Sequence, residues 1–170
     1  MAITINGTGT ITGISAGGLP SATVTQATLA TPVAGTGPAF SAYLNSSQSV
    51  TSTVATKITL NAEEYDTNSN FDSTTNYRFT PTVAGYYQIS GGVYASTATT
   101  NSTVWIYKNG SAYKLATFPT VNSSAVISSL IYFNGSTDYV ELYAAFTGTT
   151  PGLQAGLIYT FFNGALVRSA

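Results

Sequence analysis

The 170-residue sequence contains no cysteine and no histidine. Without cysteine, the chain can form neither a disulfide framework nor a thiolate metal site. The absence of histidine removes the commonest general base and the commonest protein metal ligand, and the missing thiol removes one further nucleophile. These absences argue against most catalytic and metal-dependent functions. We therefore expect a protein that is not an enzyme and that binds no cofactor.

Charge is also scarce, because five basic and six acidic residues make up only 6% of the chain and leave a net charge of -1. Typical soluble domains contain about a quarter charged residues. The first charged side chain is Lys57. The basic residues are scattered singly and cannot form a patch that follows a phosphate backbone, so we expect no nucleic-acid binding. Solubility must come from the many Ser, Thr and Asn residues or from burial of surface in an assembly.

Hydrophobic residues make up 44% of the sequence and aromatic residues 12%, which suffices for a packed core. No window approaches the roughly 18 consecutive apolar residues of a membrane span, so membrane insertion is not expected. The first residues lack the basic and apolar regions of a secretory signal peptide. The length favours one domain with a short extension.

The stretch at residues 79–95 organises the rest of the chain. Pro81 and Gly85 bracket a turn, since proline fixes φ and glycine tolerates positive φ. After this turn Tyr87, Ile89 and Val93 recur with a period of two. That period predicts a half-buried β-strand.

Further short strands are predicted on both sides of this stretch. We expect strands at residues 39–44 and 50–60, with Val54, Ile58 and Leu60 in the core, and a polar loop at 61–76. Asn109 and Gly110 predict a hairpin between 103–108 and 112–118. Residues 126–133 and 139–146 are expected to pair across a longer turn, and 157–167 to close the sheet, with Gly164 at a bulge or a close contact.

Roughly eight to ten strands without a convincing amphipathic helix indicate a sandwich or a jelly roll. The turn and strand at 79–94 resemble the globular head of complement component 1q, a jelly roll shared with tumour necrosis factor. In that family an aromatic residue, a short Pro/Val segment, Gly and paired Tyr lead into a central strand. Other motifs agree in order between residues 38 and 168: Phe40-Ser-Ala-Tyr43, Phe71-Asp72, Tyr77-Arg-Phe79, Val104-Trp-Ile-Tyr-Lys-Asn-Gly110, Asn134-Gly-Ser-Thr-Asp-Tyr-Val-Glu-Leu142 and Phe161-Phe-Asn-Gly-Ala-Leu-Val167.

The resemblance implies an all-β, homotrimeric jelly-roll head at residues 37–170. No collagen-like Gly-X-Y repeat precedes this head, unlike in the complement protein. Residues 1–36 contain short alternating runs around Asn6 and Gly7, which predict a small β-hairpin. Residues 21–31 could form a short helix or an extended spacer, and their threonine content favours the extended or single-turn form. An untidy, flexible N-terminus is the alternative interpretation of the same residues.

Residues 5–20, followed by Thr23-Val24-Thr25, resemble the N-terminal adaptor of phage tail-fibre proteins. The resemblance implies a segment that docks onto other virion structural proteins at the tail, baseplate or capsid. A particle component of this kind would be made in the host cytoplasm and exposed on the virion surface. The apolar side chains assigned to docking are Ile3, Ile5, Ile11, Ile14 and Leu19.

Four acidic residues lie close together in the predicted polar loop, and their oxygen atoms could hold calcium. Their spacing matches no EF-hand, and a solvated loop tip explains the same residues. Glycoside hydrolysis needs two carboxylates about 5 to 9.5 Å apart, and neither Glu63 with Glu64 nor Asp138 with Glu141 has further support for that role. The weak calcium candidates are Glu63, Glu64, Asp66 and Asp72.

Tyrosine rings that escape the core suit stacking on sugars, and we select Tyr65 and Tyr113 for that contact. The sequence thus predicts a short phage fibre whose trimeric head contacts the host surface, most plausibly a polysaccharide. A structural decoration protein without a receptor is the first alternative. A glycan-cleaving enzyme is the second.

Overall fold

The computed structural model describes residues 37–119 and 124–170, so the predicted N-terminal hairpin and its docking residues lie outside the described part. Within that part there are thirteen β-strands and no helix. The strands are β1 (Ala39–Tyr43), β2 (Gln48–Ser49), β3 (Thr56–Lys57), β4 (Ala62–Asp66), β5 (Phe71–Asp72), β6 (Arg78–Phe79), β7 (Gly85–Tyr94), β8 (Asn101–Lys108), β9 (Ser111–Phe118), β10 (Ser124–Phe133), β11 (Val140–Thr147), β12 (Gly152–Leu153) and β13 (Phe161–Ser169).

The strands form two main antiparallel sheets that pack face to face. Sheet I has the order β10-β7-β13-β1-β4. Sheet II has the order β5-β6-β11-β8-β9, and β3 also pairs with β11. A small third sheet joins β12 to β2. The predicted all-β jelly-roll sandwich is confirmed.

Aromatic rings fill the space between the sheets. The Phe40 ring stacks on that of Phe79 at 4.2 Å between centroids. Phe79 also meets Tyr87 and Phe133 edge to face, at 5.7 and 6.1 Å. Such ring pairs add about 0.5–1.5 kcal/mol each beyond the area that they bury. This cluster therefore joins strands β1 and β7 of one sheet to β6 of the other.

The central strand β7 alternates as the sequence predicts. Tyr87, Ile89 and Val93 are fully buried, whereas Tyr86 and Gln88 are exposed. The Tyr87 hydroxyl donates a hydrogen bond to the Val83 carbonyl at 2.8 Å. Burial raises the pKa of Tyr87 to about 12, because the core disfavours the phenolate.

The predicted hairpin of β8 and β9 is confirmed. Asn109 and Gly110 have φ values of 53° and 79°, the left-handed pair that a type I′ turn requires. The predicted close contact at Gly164 is also present, since a Cβ there would lie 2.5 Å from the Ile89 side chain. The bulge of β13 lies further along, between Leu166 and Arg168.

Two predicted segments differ from the structure. Residues 50–60 form no continuous strand, because only Thr56–Lys57 pairs there. Ile58 and Leu60 are in the core as predicted, but Val54 is half exposed in the connection before β3. The predicted polar loop at 61–76 contains strands β4 and β5. Strand β4 pairs with β1 and forms the edge of sheet I, although it carries charged residues.

The expected pairing of residues 126–133 with 139–146 is wrong. β10 pairs with β7 in sheet I, and β11 pairs with β8 in sheet II. The connection at 134–139 thus crosses from one sheet to the other instead of closing a hairpin. Both strands supply apolar residues to the core between the sheets, β10 from sheet I and β11 from sheet II.

The strand directions define two ends of the sandwich. The N-terminal end holds the start of β1, the end of β13, the start of β7 and the turn between β8 and β9. At the opposite end lie residues 44–55, 95–100 and 148–160, which are together called the loop end. The end of β9 and the starts of β4 and β10 adjoin them. Residue 37, where the described chain begins, adjoins the N-terminal end through contact with Leu166.

Candidate functional site

The structure separates the two tyrosines selected for sugar contact. Tyr65 lies in the middle of the edge strand β4, opposite Ser41, and not in a loop as predicted. Tyr113 lies on β9, close to the turn at the N-terminal end of sheet II. Each ring is about half exposed. Because they belong to different sheets and neither lies at the loop end, they do not form one site.

The four acidic candidates for calcium do not converge. The Asp72 carboxylate accepts hydrogen bonds from the backbone N–H groups of Thr75 and Thr74, which lower its pKa well below the ordinary value. Asp66 accepts N–H bonds from the backbone of a neighbouring turn, and Glu63 accepts the hydroxyl of Ser73. Within the described residues, no group of three or more such ligands is arranged to hold a metal ion.

Two of the four carboxylates considered for glycoside hydrolysis, Asp138 and Glu141, form ion pairs with lysine side chains. Glu141 is buried and paired with Lys57. Asp138 is paired with Lys108 at 3.0 Å and accepts the Asn109 amide, and these partners lower its pKa against the opposing effect of burial. The two acids hold neighbouring strands and turns together, so their positions are explained by structure.

The three loop-end segments carry no charged residue, although Glu64 of the adjoining strand β4 lines a depression together with Leu157. Residues 44–55, 95–100 and 148–160 contain no Asp, Glu, Lys or Arg. Their exposed side chains are mainly hydroxyls and amides, together with apolar groups of which Ile158 is the most exposed. The charged residues lie instead along the strands and at the N-terminal end. A charged ligand would therefore find no ionic partner on these segments.

Two depressions of ligand-binding size open at the loop end. The first, of about 330 Å³, is lined by Tyr94, Gln154 and residues 95–98. The second, of about 460 Å³, is lined by residues 49–52 and 149–151. Small-molecule sites typically start at about 300 Å³. Their linings consist of Ser and Thr hydroxyls, one amide, backbone groups, one tyrosine ring and the apolar side chains of two alanines, one valine and one proline.

A single backbone segment, residues 149–154, separates the two depressions. On one side the Thr97 hydroxyl donates to the Thr150 carbonyl at 3.0 Å, and the Ser96 N–H donates to the Gly152 carbonyl at 2.8 Å. On the other side the Val50 N–H donates to the Pro151 carbonyl at 3.1 Å. The depressions therefore flank one ridge that is hydrogen-bonded along both sides.

The outer face of sheet I carries little charge over β10, β7 and β13, whereas its edge strand β4 carries Glu63, Glu64 and Asp66. Strands β10, β7 and β13 contain one charged residue, Arg168, near the N-terminal end. Exposed apolar and aromatic side chains are spread over this face and its edges: Tyr65, Tyr86, Tyr94, Val126, Leu130, Tyr132 and Val167. Monomeric proteins rarely leave a large contiguous apolar area exposed. The face has the composition expected of a protein interface.

The outer face of sheet II differs, because every one of its six strands carries a charged residue. Lys57 of β3 pairs with Glu141 of β11, and the Arg78 guanidinium lies 4.3 Å from the centre of the Tyr139 ring. The Tyr107 and Tyr143 rings stack on this face at 3.8 Å. Sheet II thus carries a charge on every strand, whereas the charges of sheet I are confined to Arg168 and the edge strand β4.

Sequence reasoning missed both depressions. Their linings come from three segments far apart in the chain, and Ser and Thr are common throughout the sequence. The one feature of the sequence that could have indicated them is the absence of charged residues from the segments that form the loop end.

Within the described residues, no helix is long and apolar enough to span a membrane.

No protein-family model matches the chain. No curated protein matches its sequence either.

Solved structures do share its fold. Murine APRIL superposes with a TM-score of 0.61 over 76% of this chain and 98% of its own, at 9% identity. Eiger TNF from S. frugiperda superposes with a TM-score of 0.54 over 79% of this chain and 95% of its own, at 11% identity. These likenesses identify the described part as a jelly roll of the tumour necrosis factor type.

Proposed function

We propose that this protein is a non-enzymatic structural component of a bacteriophage particle, a short fibre whose homotrimeric head contacts the host cell surface. The N-terminal segment docks onto the particle, and the loop end contacts the host. The observation that carries the proposal is the uncharged, hydroxyl-lined loop end, opposite the end at which the described chain begins.

Self-association is supported by the outer face of sheet I. Its exposed Leu130 and Tyr132 lie on the edge strand β10, and Tyr86 of the neighbouring β7 packs on Tyr132 at 5.4 Å between rings. Covering such residues with a second and third copy would remove apolar surface from water without burying a charge. Sheet II also exposes Leu115 and Tyr113, but covering its outer face would remove water from its ion pairs.

The orientation of the head follows from its two ends. An anchor that precedes residue 37 would hold the sandwich by its N-terminal end, and the loop end would then face outward. Three copies would present three identical loop ends together. Weak contacts made by several linked sites can strengthen binding by about 10²–10⁴-fold over one site.

The phage assignment rests on the resemblance of residues 5–20 to tail-fibre adaptors. The jelly-roll fold of the described residues supports a head domain. Neither depression at the loop end is lined by a carboxylate, and the depression between Ser41, Leu157 and Phe161 is lined by a single one, that of Glu64. A non-enzymatic contact protein fits this arrangement better than a glycosidase.

The test uses the full-length protein with a fluorescent label. Its mass in solution is measured first, and the expected value is three times the monomer mass of 17.6 kDa. Adsorption to a panel of bacterial strains is then measured before and after periodate oxidation of the cells, which destroys vicinal diols of surface glycans. We expect a trimer that adsorbs to at least one strain and loses adsorption after periodate.

A monomer at micromolar concentration would overturn the assembly part of the proposal. A trimer that adsorbs to no strain would overturn the receptor part and favour the decoration protein. Adsorption that survives periodate would exclude a glycan with vicinal diols as the receptor.

A further inference from the structure

We propose that the two depressions at the loop end form one groove with two subsites for consecutive residues of a neutral polysaccharide. The inference rests on the proposed function, since it assigns the host contact to particular residues. The first subsite is the depression between Tyr94 and Gln154, and the second is the depression lined by residues 49–52 and 149–151. The ridge at residues 149–154 lies between them.

The chemistry of the lining selects the ligand class. Hydroxyl groups both donate and accept hydrogen bonds, so Ser96 and Thr149 can match sugar hydroxyls in either sense. The Thr97 hydroxyl donates to the Thr150 carbonyl and can still accept from a sugar hydroxyl. The loop-end segments offer no basic side chain to a uronic or sialic acid. Removing a sugar carboxylate from water without such a partner is costly. The groove therefore favours neutral sugars over acidic ones.

An aromatic ring is present at the first subsite. Tyr94 is partly exposed and packs against Tyr159, with ring centres 5.4 Å apart and planes tilted by 51°. This contact holds the Tyr94 ring at the rim of the depression, next to the Ser96 and Thr97 hydroxyls. A ring beside polar groups suits the apolar C–H face of a sugar and its hydroxyl edge at once.

The ridge makes the site rigid and sets the length of oligosaccharide that can reach both subsites. Hydrogen bonds from Thr97, Ser96 and Val50 fix the ridge on both sides, so ligand binding needs little ordering of its backbone. A single sugar residue can occupy one depression only. An oligosaccharide that crosses the ridge reaches both, and should bind more tightly than a disaccharide of the same sugar.

The test is saturation-transfer NMR on the full-length protein with defined oligosaccharides. The neutral probes are hexaoses derived from dextran, mannan, galactan and chitin, and the acidic probe is a hexamer of galacturonic acid. We expect at least one neutral hexaose to bind, its disaccharide to bind more weakly, and the galacturonate to give no signal.

Two variants obstruct the subsites one at a time. Ser96→Trp fills the first depression and Thr149→Trp the second, and both positions are exposed. Each should weaken hexaose binding by about tenfold or more. Ser111→Trp is the matched control, because Ser111 is exposed at the N-terminal end of β9. If Ser96→Trp does not fold, Ala98→Leu obstructs the same depression with a smaller side chain.

Three results would overturn the groove: no neutral hexaose binds, the galacturonate binds equally well, or the obstructed variants bind like the control. Cell adsorption separates this failure from that of the proposed function. If the unchanged protein and both tryptophan variants adsorb equally to cells, the receptor function stands and the groove is wrong. If hexaoses bind but no strain is adsorbed, the groove stands and the receptor function is wrong.

Discussion

Replacement of one leucine by aspartate on each face of the sandwich tests where copies of the chain meet. Leu130 lies on β10 of sheet I and is 53% exposed. Leu115 lies on β9 of sheet II and is 59% exposed. The two residues are matched in type, exposure and secondary structure. In a monomer, either substitution should change the free energy of unfolding by no more than about 0.5 kcal/mol.

The effect on a trimer joined through sheet I would be much larger at Leu130. Full burial of a leucine side chain contributes about 1.5–3 kcal/mol, so covering its exposed half contributes about 0.8–1.5 kcal/mol per copy. Three copies lose about 2–4.5 kcal/mol when this contact is removed. Burying three unpaired carboxylates adds several kcal/mol for each ion. The total is on the order of 10 kcal/mol, enough to dissociate a micromolar trimer.

The assay is the mass in solution by sedimentation, with circular dichroism to verify folding. We expect Leu130→Asp to be a folded monomer and Leu115→Asp to keep the mass of the unchanged protein. A trimeric Leu130→Asp would show that sheet I is not the interface. Dissociation by Leu115→Asp alone would place the interface on sheet II and refute the argument from charge.

Three further predictions concern stability. Phe79→Leu removes three ring contacts and should lower the free energy of unfolding by about 2–4 kcal/mol in urea titrations; a loss below 1 kcal/mol would mean that the ring geometry matters little. Thr99→Val should raise that free energy by about 1 kcal/mol, because the buried Thr99 hydroxyl has no hydrogen-bond partner, and a decrease would reveal an unseen partner. Asp72→Asn should lower the melting temperature at pH 7. Because folding lowers the Asp72 pKa, its carboxylate stabilises the fold above the unfolded pKa of about 3.9, and the difference from the unchanged protein should shrink as pH falls below that value; a constant difference down to pH 2 would contradict this.

The central part of the fold could be predicted from local sequence alone. The period of two in β7 and the Asn109–Gly110 turn are properties of neighbouring residues, and the structure confirms both. Strand β4 was missed because its Glu63 and Glu64 suggested a solvated loop. An edge strand tolerates such charges, since one side of its backbone already faces water.

Strand partners were harder to predict, because they depend on residues far apart in the chain. The residues between β10 and β11 predicted a hairpin turn. A local turn is present, because the Asn134 side-chain oxygen accepts hydrogen bonds from the N–H groups of residues 136, 137 and 138. Such a turn serves a hairpin and a crossing between sheets equally well. The two depressions at the loop end are likewise lined by segments far apart in the chain, so no local sequence pattern predicts them.

The scarcity of charge takes on meaning once the charges are placed in the fold. If the low number of charged residues had no functional cause, we would expect the eleven charged residues to be spread evenly over the surface. Instead each strand of sheet II has one and the edge strand β4 of sheet I has three, whereas the loop-end segments have none and β10, β7 and β13 share Arg168. An unpaired charge is most destabilising on a surface that becomes buried against an uncharged partner, because the charge loses its water there. The distribution therefore supports two neutral contacts on one head, one with copies of itself and one with a neutral ligand.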